Sequence, residues 1–243
     1  MTSVVSDSIY HPRLLQEFGI VPSELLASIA KVVDFIPREQ PEMKYRGHSL
    51  KRDKFFLIRS EINAEGEPLT FYKYSYPGFQ YASLLHYRAF STIPGFDALV
   101  TRLEQRLGCT FNHAIGTRYS KPDDEIGYHA DKMLDITPGT PIVSISFLDV
   151  REFHLRPLKS TNPATVIQVL LDGDVFELGS ITNETMEHSV PPVAREQVLK
   201  KIAASEKARG VKGENPSVPE LCGMPTKRGP PCRNKQGSCP YHK

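Results

Sequence analysis

The second half of the chain carries a series of short apolar segments that are separated by turn residues. They cover residues 142–148, 151–156, 166–171 and 175–178, and an Asp-Gly-Asp turn at 172–174 precedes the last of them. Short segments rich in Val, Ile and Phe at this spacing are typical of strands in a sandwich, a jelly roll or a barrel. We therefore predict a mainly β fold for this half of the chain.

Two helices are predicted before these strands. Residues 22–34 begin with Pro and Ser, and apolar residues then recur on one face. Residues 95–107 carry Phe and Leu at helical spacing, and Gly108 follows as a stop signal. We expect both helices to pack on the outside of a sheet. Short strands are also predicted in Lys54–Ile58 and Thr70–Tyr76, and a third helix over 194–209.

The composition is that of an ordinary globular protein with an uneven charge distribution. No apolar run approaches the roughly 18 residues that span a bilayer, and residues 1–13 lack the pattern of a signal peptide. We therefore expect no membrane contact and an intracellular location, in the nucleus or the cytoplasm. Residues 195–243 hold 11 Lys/Arg and 4 Asp/Glu, whereas the other residues hold 19 and 24. A basic tail favours contact with a polyanion such as DNA or RNA, although a solvated end has the same composition.

Three of the four cysteines lie close to the end of the sequence. Cys222, Cys232, Cys239 and His242 offer three thiolates and one imidazole, a set suited to tetrahedral Zn(II). We predict a structural zinc knuckle over 221–243, after a core of 1–194 and a helix and linker of 195–220. The alternative is cysteines without a metal. Contact with a phosphate backbone and contact with a protein remain two options for the knuckle.

The segment Gly127-Tyr128-His129-Ala130-Asp131 contains a candidate metal site. Residues i and i+2 of a strand point to the same side, so His129 and Asp131 can face one ion. His188, 57 residues beyond Asp131, is a candidate third ligand. Two imidazoles and one carboxylate on one face leave positions for a bidentate oxoacid and O₂ on Fe(II). By itself an His-x-Asp pair also fits a surface turn.

The sequence around His129 and Asp131 resembles the AlkB family of 2-oxoglutarate, Fe(II)-dependent dioxygenases. The similar segments are HSLKRDKFF, FYKYSYPGF, TFNHAIGTRYSKPDDEIGYHAD, TPGTPIVSISFLDVREFHLRP and DGDVFELGSITNETMEHSVPP, which together span about residues 45–192. The resemblance implies a double-stranded β-helix, a cupin-like jelly roll, with flanking helices in an α+β arrangement. It also implies an oxidoreductase that uses Fe(II) and 2-oxoglutarate to demethylate or hydroxylate a modified nucleic-acid base.

The resemblance also implies roles for individual residues. His129, Asp131 and His188 match the catalytic iron ligands, and Tyr119 matches a tyrosine that hydrogen-bonds the oxoacid. Thr117 stands where many members have asparagine, which is a departure. Arg151 matches an arginine beside the substrate opening, and the alternative is a cation at a strand end on the surface. Tyr74 and Tyr76 are candidates for stacking on a flipped base, and the alternative for both is a place in the aromatic core.

The family's final strand, which carries two arginines, is not recognisable after His188. Arg195 and Lys201 have the mutual spacing of these two arginines, the first of which binds the distal carboxylate of 2-oxoglutarate. Their segment, however, has a helical pattern and comes early after His188. Arg118 or Arg156 could supply this cation instead. The chain could also be a variant without the strand, or a degenerate scaffold that only binds nucleic acid or protein. Hydroxylation of a protein or a small molecule is a further alternative.

Overall fold

The protein is described here by a computed structural model that covers most of the first 193 residues. The described ranges are residues 7–36, 44–45, 48–49, 51–69, 87–133, 136–162, 164, 166–193 and 200. They belong to the first of two compact units, Met1–Ile202, whereas the second unit, Ala203–Lys243, lies outside the described residues. No helix within the described ranges is long and apolar enough to cross a bilayer.

These ranges form short helices and strands in the following order. The helices are α1 Leu14–Glu17, α2 Pro22–Val32, α3 Phe96–Leu107 and α4 Ser180–Thr185, and a 3₁₀ turn covers Phe90–Thr92. The strands of the first half are β1 Ile9–His11, β2 Lys44–Tyr45, β3 His48–Ser49, β4 Asp53–Ile58 and β5 Tyr87–Ala89. The later strands are β6 His113–Arg118, β7 Ile126–His129, β8 Ile142–Ile145, β9 Arg151–Pro157, β10 Val166–Leu170, β11 Val175–Leu178 and β12 Met186–Val190.

Two antiparallel sheets pack face to face in the second half of the fold. Their strand orders are β1-β11-β8 and β10-β9-β12-β7. Phe153 of β9 and Phe176 of β11 meet between the sheets with ring centroids 4.9 Å apart. Leu155, Leu178 and Met186 belong to the same buried cluster. The predicted sandwich of short strands is therefore present, and its apolar interior lies between the two sheets.

A third sheet, of order β5-β4-β6, is covered by the predicted helices. The central strand β4 carries Leu57 toward a cluster that contains Leu25 of α2 and Leu99 of α3. The opposite face of β4 presents Lys54, Phe56 and Ile58, which are also buried. Because both faces are covered, β4 is buried at five of its six positions and does not show the half-exposed pattern of an outer strand.

The element bounds confirm most of the predictions made from periodicity. Helix α2 starts at Pro22, and α3 ends before Gly108, whose φ of 66° is the left-handed conformation that glycine adopts easily. The strand predicted for residues 142–148 ends early, at Ile145. The reason is a turn: Leu148 has a φ of 66°, and its backbone N–H donates to Asp172 Oδ1. The predicted strand 70–76 and, apart from Lys200, the helix 194–209 lie outside the described residues.

Candidate metal centre

The pairing of β7 with β12 brings two histidines together that are far apart in sequence. His129 and His188 are direct antiparallel partners, and their ring centroids lie 4.2 Å apart. Asp131 follows two residues after His129, at the exit of β7. Its carboxylate oxygens lie 3.7 Å from His129 Nε2 and 3.5 Å from His188 Nε2. One potential ligand atom from each residue falls within 4.8 Å of the other two.

A contact with the backbone determines which ring nitrogen of His129 carries a proton. Its Nδ1 lies 2.8 Å from the carbonyl oxygen of Gly127. A carbonyl oxygen can only accept a hydrogen bond, so Nδ1 must carry the proton and donate it. In the neutral tautomer that keeps this hydrogen bond, the lone pair is on Nε2, the nitrogen that faces Asp131. A hydrogen bond of this kind is the usual way in which a metal-binding histidine is oriented.

His188 is held in its neutral form by its surroundings. The residue is 6% exposed, and its ring stacks on Phe153 at 5.2 Å. The pKa of His188 is lowered to about 4, chiefly by burial and also by the charge of a protonated His129, and Asp131 acts in the opposite direction. At neutral pH the imidazole therefore offers a lone pair without first losing a proton.

Asn183, which sequence reasoning missed, holds the backbone of Asp131. Its side-chain Oδ1 accepts the N–H of Asp131 at 2.9 Å, and its Nδ2 donates to the carbonyl of Asp131 at 2.8 Å. Asn183 is 1% exposed and lies on α4. Asp7 fixes α4 in turn by accepting the backbone N–H groups of Ile181 and Thr182, both at 2.9 Å. No motif around residue 183 signals this role, because the contact spans 52 positions of the sequence.

The donor set of this cluster fits a divalent transition metal. Two imidazoles and one carboxylate at the edge of a buried core match the ligands that non-haem Fe(II) takes, with positions left for other molecules. His188 is largely buried, whereas the side chains of His129 and Asp131 are 31% and 39% exposed. One side of the cluster is therefore accessible to a ligand and the other is closed by the sandwich core.

Tyr119 and Arg151, two residues singled out by the resemblance, lie against each other. The guanidinium of Arg151 sits 5.1 Å from the centroid of the Tyr119 ring. Burial raises the pKa of Tyr119 to about 12, although the charges of Arg52 and Arg151 oppose this. The phenol is therefore a hydrogen-bond donor at neutral pH. Arg151 donates to the carbonyls of Lys121 and Asp124 at 3.1 and 3.2 Å, so it also holds the loop that leads into β7.

Thr117 faces the same side of the sheet as a second polar residue. It pairs directly with Lys54 of β4. Residues two apart on a strand, and residues directly opposite on neighbouring strands, share a face. Thr117 is exposed, whereas Lys54 is 8% exposed. Lys54 is the second residue that sequence reasoning missed as part of this region.

The structure rules out Arg118 and Arg156 as cations of the site. Arg118 binds Asp53 at 2.6 Å and lies 4.0 Å over the ring of Phe35, on the face of the sheet opposite to Thr117. Arg156 binds Glu187 at 3.0 Å and lies 3.7 Å over Tyr128. Its neighbour Leu155 points into the sandwich core, so Arg156 points outward. Both suggestions were wrong because a strand alternates its faces.

Several predicted residues fall outside the described ranges. They are Tyr74, Tyr76, Arg195 and the four predicted zinc ligands Cys222, Cys232, Cys239 and His242. Their assignments stay predictions.

Comparison with solved structures supports the fold. The solved structure of OsALKBH1 superposes with a TM-score of 0.51 over 85% of this chain and 94% of that chain, at 14% sequence identity. At this identity the match shows a shared fold and nothing beyond it.

Comparison with curated proteins finds DNA oxidative demethylases. The mouse (Mus musculus) protein ALKBH2 is 32% identical over 113 residues, which cover 44% of this chain and 46% of the relative. Human (Homo sapiens) ALKBH2 matches over the same length, covering 42% of the relative. The matched segment thus spans less than half of these relatives.

The match to a family model shows to which superfamily the chain belongs. The model of the 2OG-Fe(II) oxygenase superfamily matches residues 12–230, which is most of the sequence. The name of this superfamily refers to its use of 2-oxoglutarate (2OG) and Fe(II). By its fold and this match, the chain belongs to the 2OG-Fe(II) oxygenase superfamily.

Proposed function

We propose that the protein binds Fe(II) through His129, Asp131 and His188 and uses 2-oxoglutarate to oxidise a modified base in nucleic acid. The observation that carries this proposal is the convergence of the three ligand atoms within 4.8 Å of one another. It occurs in a chain whose superfamily is defined by Fe(II) and 2-oxoglutarate. The reaction is oxidative demethylation or hydroxylation of the base.

Neighbouring residues orient the three metal ligands in the absence of a bound ion. Gly127 sets the tautomer of His129, burial keeps His188 neutral, and Asn183 positions the backbone of Asp131. When bound, the ferrous ion supplies the coupling between the decarboxylation of 2-oxoglutarate to succinate and the oxidation of a C–H bond. The phenol of Tyr119 donates a hydrogen bond to the oxoacid in this proposal, and Arg151 keeps the phenol in place.

Three observations support a nucleic-acid substrate. The curated relatives that match the chain are named DNA oxidative demethylases. Residues 195–243 carry an excess of seven positive charges, from 11 basic and 4 acidic side chains, which favours contact with a phosphate backbone. The side of the metal cluster formed by His129 and Asp131 is accessible. Oxidation of an N-methyl group on a base flipped into this opening yields formaldehyde and the restored base.

Turnover tests the proposal directly. The anaerobically Fe(II)-loaded protein is mixed with 2-oxoglutarate, O₂ and N-methylated DNA or RNA oligonucleotides, and succinate and formaldehyde are measured. We expect both products with wild type, neither with Asp131→Ala, and wild-type yields with Asp97→Ala, which removes an exposed carboxylate on α3. Fe(II) binding that survives unchanged in both Asp131→Ala and His129→Ala would remove the proposed metal site.

The binding-module alternative makes a different prediction in the same experiment. A degenerate scaffold would retain oligonucleotide binding but would form no succinate, with or without a substrate. Wild-type protein that binds the oligonucleotide but neither Fe(II) nor 2-oxoglutarate would favour this alternative over the enzyme.

We also propose that Cys222, Cys232, Cys239 and His242 bind a structural zinc ion that assists contact with the substrate. A segment of this length has too little apolar core to fold without a metal. Cys232→Ser should lower the zinc content of the purified protein, measured by mass spectrometry, and leave the melting temperature of the core unchanged. Full zinc content in Cys232→Ser, or an unfolded core, would contradict the division of the chain into a core and a knuckle.

A further inference from the structure

Helix α4 takes its N-terminal cap from a residue that is distant in sequence. The helix has six residues, and the residue before it, Gly179, has no side chain that could accept the first N–H groups. Asp7 accepts them instead: its Oδ2 accepts the N–H of Ile181 at 2.9 Å, and its Oδ1 accepts the N–H of Thr182 at 2.9 Å. The hydroxyl of Thr182 donates to the same Oδ1 at 2.7 Å. A helix this short is not stable by itself in water, so its position depends on such contacts.

A second contact from the same N-terminal segment holds the residue before the helix. The backbone N–H of Gly179 donates to the hydroxyl oxygen of Ser8 at 3.1 Å, and the carbonyl of Gly179 accepts the N–H of Asn183 at 2.9 Å. Asp7 lies close against Gly179, since a methyl group on this glycine would come within 2.1 Å of the carboxylate carbon. Asp7 and Ser8 therefore hold the first turn of α4, the turn that precedes Asn183.

Asp7 is ionised at neutral pH, and its charge strengthens the contact with α4. Burial acts to raise the pKa of Asp7, but hydrogen bonds from Thr182 and Ile181 lower it by more, so the pKa lies below its usual value. Hydrogen bonds to a carboxylate are stronger than those to a neutral acceptor. The negative charge also faces the positive end of the helix dipole.

Asn183, the next residue of α4, connects the helix to a candidate metal ligand. Its side chain makes two hydrogen bonds with the backbone of Asp131, at 2.9 and 2.8 Å. Thr182 and Asn183 are adjacent and are 2% and 1% exposed, so neither moves without displacing packed neighbours. Direct contacts therefore lead from the carboxylate of Asp7, through the first turn of α4, to the backbone of Asp131.

On the basis of the proposed function, we infer that Asp7 is a positioning residue for the metal ligand Asp131. The carboxylate of Asp7 fixes α4, and α4 sets where the amide of Asn183 holds the Asp131 backbone. Asp7 acts through the helix and not by contact with the ion. When its contact with α4 is lost, the carboxylate of Asp131 is held less firmly beside the two histidines, and the affinity for Fe(II) falls.

Two variants break the contact between Asp7 and α4 in different ways. Asp7→Ala removes the carboxylate, whereas Gly179→Ala keeps it and places a methyl group where it lies. Gly179 has a φ of −67° and a ψ of 156°, a backbone conformation that alanine also adopts. The matched control is Tyr10→Phe, which removes the hydrogen bond from the Tyr10 hydroxyl to Asp174 Oδ2 at 2.6 Å. That bond also anchors the N-terminal strand β1, but to the turn before β11 and not to α4.

Two measurements follow the position of Asp131, one with the ion and one without it. Fe(II) is titrated anaerobically by calorimetry, and hydrogen exchange of the Asp131 backbone N–H is measured by NMR on the metal-free protein. We expect Asp7→Ala and Gly179→Ala each to weaken Fe(II) binding about three- to tenfold, less than the 10- to 100-fold loss that is typical for a residue in contact with a metal ligand. The Asp131 N–H should exchange faster in both variants, because its hydrogen bond to Asn183 opens more often.

Further variants separate positioning from a general loss of stability. Tyr10→Phe should leave Fe(II) affinity and Asp131 exchange at their wild-type values even if its melting temperature falls. Asp7→Asn keeps one acceptor oxygen, so it should fall between wild type and Asp7→Ala in both measurements. The double variant Asp7→Ala/Gly179→Ala should match Asp7→Ala alone, because the added methyl group no longer meets a carboxylate.

Three results would overturn the inference. They are wild-type Fe(II) affinity and Asp131 exchange in Asp7→Ala, changes of the same size in Tyr10→Phe, and losses in the double variant that equal the product of the two single losses. If Asp7→Ala does not fold, Asp7→Asn and Gly179→Ala serve for the same comparison. A wild-type protein that binds no Fe(II) would instead overturn the proposed function, and hydrogen exchange, which needs no ion, would still decide whether Asp7 positions Asp131. The two failures are therefore distinguishable.

Discussion

Replacement of Asn183 by alanine removes both side-chain hydrogen bonds that hold the backbone of Asp131. The bonds are 2.9 and 2.8 Å long, and Asn183 is 1% exposed, so water does not readily replace the lost amide. Two hydrogen bonds at about 1 kcal/mol each and a small cavity give a loss of about 2–4 kcal/mol in the free energy of unfolding. For a domain of this size the melting temperature should fall by roughly 5–12 °C.

The affinity for Fe(II) should also change, and it provides a second measurement on the same variant. Removing a residue that orients a metal ligand typically lowers metal affinity by about 10- to 100-fold. Fe(II) is titrated anaerobically into wild type and Asn183→Ala by calorimetry, and melting is followed by circular dichroism. Asn63→Ala is the control: Asn63 also accepts two backbone N–H groups, at 3.0 and 2.8 Å, but in an exposed turn far along the chain from Asp131.

The two measurements can refute the reasoning separately. If Asn183→Ala melts like Asn63→Ala, the buried hydrogen bonds contribute far less than the geometry implies. If the melting temperature falls but Fe(II) affinity stays at the wild-type value, Asn183 stabilises the fold without positioning Asp131. Asn183→Asp adds a further check, since it keeps an acceptor for the Asp131 N–H and loses the donor to the carbonyl.

Three other substitutions test features of the fold. Burial lowers the pKa of His113 to about 4 from an ordinary value of 6.5, so the folded protein loses stability as pH falls from about 6.5 toward 4. His113→Phe should reduce the loss between pH 7 and 5 by about 2 kcal/mol in urea denaturation, and an unchanged slope would contradict this. A methyl group on Gly116 would overlap the ring of Phe55, so Gly116→Ala should cost about 1–3 kcal/mol, and a melting temperature equal to wild type would show that the ring moves freely. Ser189 is 3% exposed, and its hydroxyl has no hydrogen-bond partner among the described residues, so Ser189→Ala should leave stability unchanged or raise it slightly; a loss above about 1 kcal/mol would reveal a partner.

The helices and strands were largely predictable because they follow local periodicity. The stripe of α3 and the stop at Gly108 depend on residues within a few turns of one another, and α3 forms as predicted. Where a turn overrode the apolar pattern, as at Leu148, the strand ended early. The sequence also predicted that His129 and Asp131 face the same ion, because alternate residues of a strand point to the same side.

The residues that surround His129 and Asp131 in space depend on tertiary structure. The resemblance suggested His188 as the third residue, and its position opposite His129 comes from the register between β7 and β12. Arg118 and Arg156 looked equivalent to other cations in the sequence, yet each strand turns them away from the site. Asn183 and Lys54 carried no local signal at all.

The sequence by itself determined the period of each element and the chemistry of the side chains, since both are properties of neighbouring residues along the backbone. Tertiary structure alone decided which faces are buried and which charges meet. The hydrogen bonds between Asn183 and the backbone of Asp131, and the pairing of His129 with His188, join elements that are distant in sequence. Such contacts depend on register and sheet order, which are set by the packing of the whole core and not by any short segment.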